Sequence, residues 1–258
     1  MQIGGLDKTS LIDYPGKIAA VVFAQGCNWR CPFCHNPELV MPRCYQKPIP
    51  EETVMEFLQN RTQQLDAVVI SGGEPTLQSD LPGFAAAIKD LGYLVKLDTN
   101  GTNPEMLRVL LSEGLVDYVA MDLKGPLANY QQLAGARVDA DALRTSIWMI
   151  KNSGLDHEFR TTVVPGLHTL RELKAMGELV RGAQRYALQD FVSDFCLRES
   201  LRGRPAFPLK TLNKLRPFME RRVKIFEIRS NEDAVPMPNG RGTPLDELED
   251  DGDEDLFE

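Results

Sequence analysis

The sequence predicts an α/β fold, a partial (β/α)6 barrel, and three observations lead there. Six short β-branched or apolar runs recur along the chain, helical patterns separate most of them, and polar or cysteine-bearing segments follow nearly every run. Runs without polar alternation suit strands buried on both faces of a parallel sheet. Strands alternating with helices indicate βα units. An open doubly wound sheet fits the same count. The third observation favours the barrel, because there the strand C-termini converge on one mouth and the segments beyond them meet around one site.

The expected strands are Ala19–Phe23, Ala67–Ser71, Leu94–Asp98, Tyr118–Asp122, Phe159–Val164 and Tyr186–Phe191. The first expected helix, Glu51–Gln64, begins after a proline. Leu81–Leu91 places Leu81, Phe84, Ala85 and Ile88 at helical spacing. Pro104–Glu113 opens with Asn103 as N-cap and proline at the first position, and Gly114 suits its end. Asp139–Asn152 ends before Gly154, and Thr169–Arg181 and Lys210–Arg222 complete the set. Residues 1–230 are expected to form the barrel domain. Residues 231–258, rich in proline, glycine and acid, are expected to be a mostly disordered acidic tail.

A chain of 258 residues that is 43% hydrophobic can bury a substantial core. The first residues lack a basic segment followed by a long apolar one, so no signal peptide is expected. Apolar runs such as Ile18–Ala24 are too short to span a bilayer. The expectation is a cytoplasmic protein with reduced thiols and no membrane partner. The net charge of −8 is misleading, because residues 246–258 carry nine acidic groups and no basic ones, which leaves the body nearly neutral. Residues 196–230 hold ten Lys/Arg against three Glu. Aromatic residues suited to base stacking are not concentrated there, so this stretch reads as a solvated helix face rather than a nucleic-acid surface.

Of five cysteines, three fall within eight residues, which points to a metal site rather than a disulfide framework. The segment is Gly26-Cys27-Asn28-Trp29-Arg30-Cys31-Pro32-Phe33-Cys34-His35-Asn36. A cubane cluster has four irons, so three thiolates leave one iron open to a ligand. The amino and carboxylate groups of a methionine moiety could chelate it. The competing reading is structural zinc with His35 as fourth ligand. Such sites usually draw two separated ligand pairs, and His35 directly follows Cys34. Cys44 and Cys196 stand alone in the sequence.

A Cys-x3-Cys-x2-Cys loop with an aromatic before its last cysteine, placed after the first βα strand, resembles the radical S-adenosylmethionine superfamily. The resemblance implies a partial barrel of that type, with one [4Fe–4S] cluster on Cys27, Cys31 and Cys34. It also implies that the protein cleaves S-adenosylmethionine to a 5′-deoxyadenosyl radical, with Phe33 beside the adenine. Ser71-Gly72-Gly73-Glu74-Pro75 follows the second strand. Paired glycines allow close backbone approach, although a lone pair is usually only a turn. The resemblance assigns Gly72, Gly73 and Glu74 to the methionine amino group.

Asp98-Thr99-Asn100-Gly101 and Asp122-Leu123-Lys124 close neighbouring strands. Carboxylates so placed repel unless a cation or donor lies between them. Aspartate at a strand end also often just caps the next helix or turn. In glycyl-radical activating enzymes, which these segments resemble, they contribute to a monovalent cation site. That implies a cation at Asp98, Thr99 and Asp122, with Lys124 near cofactor or substrate. Arg160, inside a strand run, must find an anion or point out of the core. The resemblance offers it the cofactor carboxylate, and a surface position is the alternative. His157 and His168 are read as solvent or packing residues.

The segment from Gly4-Gly5-Leu6 to Ser10-Leu11-Ile12-Asp13-Tyr14-Pro15-Gly16-Lys17 carries the finer resemblance. Together with the cysteine loop it is similar to activating proteins of the anaerobic ribonucleoside-triphosphate reductase type. That implies a glycyl-radical enzyme as protein substrate and an electron donor such as flavodoxin or ferredoxin. The two remaining cysteines cannot build further four-cysteine clusters, so one cluster is expected. The rival is a radical enzyme acting on a small molecule, of the carboxy-deazaguanine synthase type, which shares the cysteine and Gly-Gly-Glu-Pro segments.

Overall fold

In the computed structural model, which describes residues 1–194 and 196–230, one eight-stranded sheet runs through the chain, its strands side by side in sequence order. The strands are β1 (Ile3–Ser10), β2 (Ala19–Ala24), β3 (Ala67–Gly72), β4 (Leu94–Thr99), β5 (Tyr118–Asp122), β6 (Asp156–Val163), β7 (Arg185–Asp190) and β8 (Ile225–Arg229). β2 to β8 are mutually parallel, and β1 runs antiparallel to β2. All six predicted strands are present. The two additional ones are edges. β1 (IGGLDKTS) is buried only at Ile3 and Ser10, and β8 opens with an exposed Ile225. An edge strand is not covered on both sides, so neither carries the apolar run that marks a central strand.

Side chains alternate between the two sheet faces. One face, with Ala20, Val22, Val68, Ile70, Val95, Leu97, Val119 and Met121, joins the apolar sides of the helices in a single core. The other gathers Ala19, Val21, Ala67, Val69, Tyr118 and Ala120 with Tyr14 in a separate cluster. These residues are buried although the helices pack on the opposite face. The sheet must therefore curl over them. Tyr14, in the loop before β2, meets the ring of Tyr118 on β5 at 5.5 Å. The parallel strands thus form an incompletely closed barrel with its helices outside.

The longer helices are α1 (Glu51–Gln59), α2 (Leu81–Asp90), α3 (Pro104–Ser112), α4 (Ala140–Asn152) and α5 (Leu170–Leu179). Asn103 caps α3 by accepting from Met106 N–H at 3.1 Å, and Gly114 takes the left-handed conformation just beyond its end. Thr169 and Glu172 form a reciprocal capping box on α5. Two expectations are corrected. α1 stops at Gln59 rather than Gln64, because Asn60–Gln64 offers no apolar side chain to the core. The expected helix Lys210–Arg222 is broken into Leu209–Asn213 and Arg216–Met219. Pro217 lacks an N–H and its ring crowds the carbonyl four residues back, that of Asn213, where the first piece ends. The acidic tail lies outside the described residues. No helix among the described residues is long and apolar enough to cross a membrane.

Candidate active site

The cysteine loop leaves β2 through Gly26, whose φ is 103°. It is held from three sides. Arg30 N–H donates to Ala134 O after β5 at 2.8 Å, and the Arg30 guanidinium donates to the carbonyls of Cys27 and Trp29 at 2.8 Å each. Pro32 O and Cys34 O accept from Arg198 and Leu197 after β7, at 2.8 and 3.2 Å. Gly26 O accepts from Glu74 N–H after β3 at 2.8 Å. Trp29 is buried against the Tyr130 ring, centroids 5.4 Å apart.

Burial pushes the Cys27 thiol up to about 11, only partly offset by Trp29 N–H on its sulfur. Burial pushes Cys31 to about 12, against the pull of the Lys124 ammonium, and raises Cys34 as well. At neutral pH these are thiols until a metal takes the place of the proton. The same Lys124 charge acts on all three. Among the described residues no three His, Cys, Asp or Glu side chains converge tightly enough to grip a single metal ion. His35, the supposed zinc ligand, stacks on Phe191 at 5.7 Å, and burial holds it down to about 4. Three thiols on one loop, with His35 turned to Phe191, fit an iron–sulfur cube, whose irons sit at separate corners, better than a zinc ion.

The loop after β3 lies directly on the root of the cysteine loop. Gly73 N–H donates to Ala24 O at 2.9 Å. A Cβ on Gly72 would overlap the Ala24 backbone, and one on Gly73 would overlap Gly26 O. The glycine pair therefore meets protein backbone first, so close loop-on-loop packing is one demand it answers. Glu74 is fully buried. Its Oε1 accepts from Thr76 N–H at 3.1 Å, Thr76 Oγ1 at 2.5 Å and Thr99 Oγ1 at 2.7 Å, and its Oε2 from Asn100 N–H at 2.6 Å. Burial raises its pKa, and these four bonds offset only part of that rise. Glu74 is thus a knot between the loop after β3 and the end of β4. All four donors belong to the chain itself.

On the inner face of β4, β5 and β6 stands a ladder of charges. Asp98 Oδ1 meets Lys96 Nζ at 2.6 Å, while its Oδ2 meets Arg160 Nη1 at 3.2 Å and Ser71 Oγ at 3.1 Å. Arg160 Nε donates to Asp122 Oδ1 at 2.8 Å, and Lys124 Nζ lies 3.3 Å from Asp122 Oδ2. Arg160 therefore points inward, between the two carboxylates, and the surface alternative is excluded. Burial by itself would raise both aspartates. The Arg160 guanidinium, with Lys96 at Asp98 and Lys124 at Asp122, more than reverses this and holds both below their ordinary value. Thr99 turns its hydroxyl to Glu74, and Arg160 lies between Asp98 and Asp122.

His168, read from sequence as a packing or solvent residue, has a specific place. Its Nδ1 accepts from Val164 N–H at 3.1 Å, which leaves Nε2–H to donate to Lys124 O at 2.8 Å. The Lys124 N–H donates to Tyr130 Oη at 3.0 Å. His168 also meets the edge of Phe33 at 6.0 Å. The Lys124 peptide is thus gripped on both sides by residues that touch the cysteine loop. His157 is likewise engaged, its Nε2 accepting from Gln184 N–H at 3.1 Å.

The ladder carries a pH signature. Folding lowers the Asp122 pKa below its ordinary 3.8, so the stabilisation is present above that value and is lost as the pH falls through the folded value. Asp122→Asn is expected to destabilise the metal-free protein at neutral pH by about 2 kcal/mol. Its gap to the wild type in thermal unfolding should shrink as the pH is lowered towards about 3. A gap that stays constant over that range would contradict the pairing.

Three thiols on the loop beyond β2, at the mouth where parallel strands end, suit a barrel enzyme built around an iron–sulfur cluster. The family model described as the Radical SAM superfamily matches residues 21–180, and the chain belongs to that superfamily. Membership implies a [4Fe–4S] cluster and S-adenosylmethionine. A Methanocaldococcus jannaschii protein provisionally named a glycyl-radical enzyme activating enzyme is 36% identical, over 73% of this chain and 79% of its own length. A pyruvate formate-lyase-activating enzyme of Streptococcus mutans is 27% identical, over 83% of this chain and 85% of its own. The crystal structure of Streptococcus suis SuiB superposes with a TM-score of 0.62 at 14% identity, over 81% of this chain and about half (48%) of that one, a likeness of fold alone.

Proposed function

We propose that this chain cleaves S-adenosylmethionine reductively and uses the resulting radical to activate a glycyl-radical enzyme, with anaerobic ribonucleoside-triphosphate reductase as the candidate partner. The observation that carries the reading is the three-thiol loop at the strand-end mouth. The relatives that span most of the chain, named for activating a glycyl-radical enzyme or pyruvate formate-lyase, support a glycyl-radical enzyme as the class of partner. When bound, the cluster would supply the electron that breaks the C5′–S bond. Methionine would leave, and the 5′-deoxyadenosyl radical would take a hydrogen atom from a backbone glycine of the partner, giving 5′-deoxyadenosine and a glycyl radical.

In this reading Cys27, Cys31 and Cys34 hold the cluster and Phe33 flanks the adenine. The backbone of Gly72 and Gly73 faces the methionine amino group. Glu74 acts on that end of the cofactor through Thr99 and Asn100, by fixing the end of β4. Lys124 and Arg160 supply positive charge for the methionine carboxylate. The electron comes from a donor of the flavodoxin or ferredoxin type. Such chemistry belongs in the cytoplasm, where thiols stay reduced.

Electron spin resonance tests the partner directly. The cluster-loaded protein, S-adenosylmethionine, a strong reductant and the candidate reductase are mixed anaerobically. A glycyl-radical signal is expected, and it should vanish when the partner's radical glycine is replaced by alanine. Cofactor cleavage without any protein radical would favour the small-molecule reading of carboxy-deazaguanine synthase type.

A further inference from the structure

Lys96 lies on the inner face of β4 with its side chain 1% exposed, and its ammonium is 2.6 Å from Asp98 Oδ1. The Tyr118 ring lies 5.8 Å from the same ammonium. A buried ammonium cannot be left without an anion, so Lys96 and Asp98 remain partners whatever binds beside them. The second Asp98 oxygen faces Arg160, and Asp122 faces Arg160 and Lys124. Arg160 also faces Glu158, which holds Arg229, and Arg229 and Arg185 share Glu227, so in the connected ladder four carboxylates meet five protein cations. A monovalent ion placed among them would add a further positive charge where none is wanted. Thr99, which could have been a neutral ligand, is bound to Glu74.

We infer that Lys96, together with Arg160, does in this chain what a bound potassium or sodium ion would do at the strand ends, so that the site operates without such an ion. The positive charge left over in the ladder then suits a single carboxylate on the bound molecule. This rests on the reading, given above, that the strand ends cradle S-adenosylmethionine.

Thermal unfolding of the full chain in potassium, sodium and choline chloride at equal ionic strength tests the inference. The wild type should unfold at the same temperature in all three, within about 1 °C. Lys96→Met leaves Asp98 short of one cation and should be stabilised by potassium over choline by roughly 3 °C or more. Lys96→Arg keeps the charge and should be as indifferent as the wild type. A wild type stabilised by potassium or sodium relative to choline would overturn the inference. So would a Lys96→Met variant that stays indifferent. The wild-type comparison decides the matter even if the methionine variant does not fold. In the cluster-loaded wild type, calorimetric affinity for S-adenosylmethionine should agree within about twofold across the three salts. The thermal readout asks nothing of S-adenosylmethionine, so it can fail while the proposed reaction stands, and the reaction can fail while it holds.

Discussion

Cys31→Ala is expected to give a folded protein that cannot keep its cluster and does not cleave S-adenosylmethionine. Cys31 is 7% exposed, so the substitution removes one buried sulfur and costs about 1–2 kcal/mol of packing. The bonds that shape the loop do not pass through that sulfur. They run from Arg30 to Ala134, from Arg198 to Pro32 and from Leu197 to Cys34. The loss is therefore chemical rather than structural. Two thiols remain where a cluster with one open iron needs three. Iron and sulfide content should fall severalfold, and formation of 5′-deoxyadenosine by at least about 10³-fold, an effect of about 4 kcal/mol or more on the reaction barrier. Undiminished cleavage in this variant would overturn the ligand assignment.

Glu74→Leu is expected to be the most destabilising single change at the site. The carboxylate holds two backbone N–H groups and two hydroxyls in a fully dry position. Leucine leaves all four without an acceptor, and the expected cost is about 3–5 kcal/mol. Glu74→Gln keeps one acceptor oxygen but sets an amide N–H against those donors, so it should cost less, about 1–3 kcal/mol. Urea unfolding of the metal-free protein checks both. A leucine variant as stable as the wild type would show that the knot is not structural. The knot joins the loop after β3 to the end of β4, so the glutamine variant should also weaken cofactor binding.

The barrel is legible in the sequence because its central strands are buried on both faces. AAVVF and AVVIS can be little else than interior strands. The edges β1 and β8 are not, since an edge needs only half the apolar side chains. The break inside Lys210–Arg222 escapes a reading of periodicity, because it comes from the missing N–H of Pro217 and the carbonyl its ring would strike, not from the apolar pattern. At the site, the spacing of the cysteines marks a metal-binding loop but leaves zinc open, and the resemblance supplies the cluster. The inward turn of Arg160, the burial of Lys96 and the grip of His168 on Lys124 depend on partners from other strands or loops, and spacing does not report them. One signal is available: a lysine inside LVKLDT interrupts an apolar strand two residues before an aspartate, the separation that puts both on the same face. The glycine pair reads in sequence as an approach to a ligand, whereas its nearest demand is loop-on-loop contact, and no local pattern separates the two.

The proposed function stands on the three-thiol loop carrying a cluster that cleaves S-adenosylmethionine. Its most direct test is product analysis of the anaerobically reconstituted protein, incubated with S-adenosylmethionine and a strong reductant. Methionine and 5′-deoxyadenosine should form in equal amounts and only when the reductant is present. A protein loaded with iron and sulfide that forms neither product under those conditions would contradict the claim.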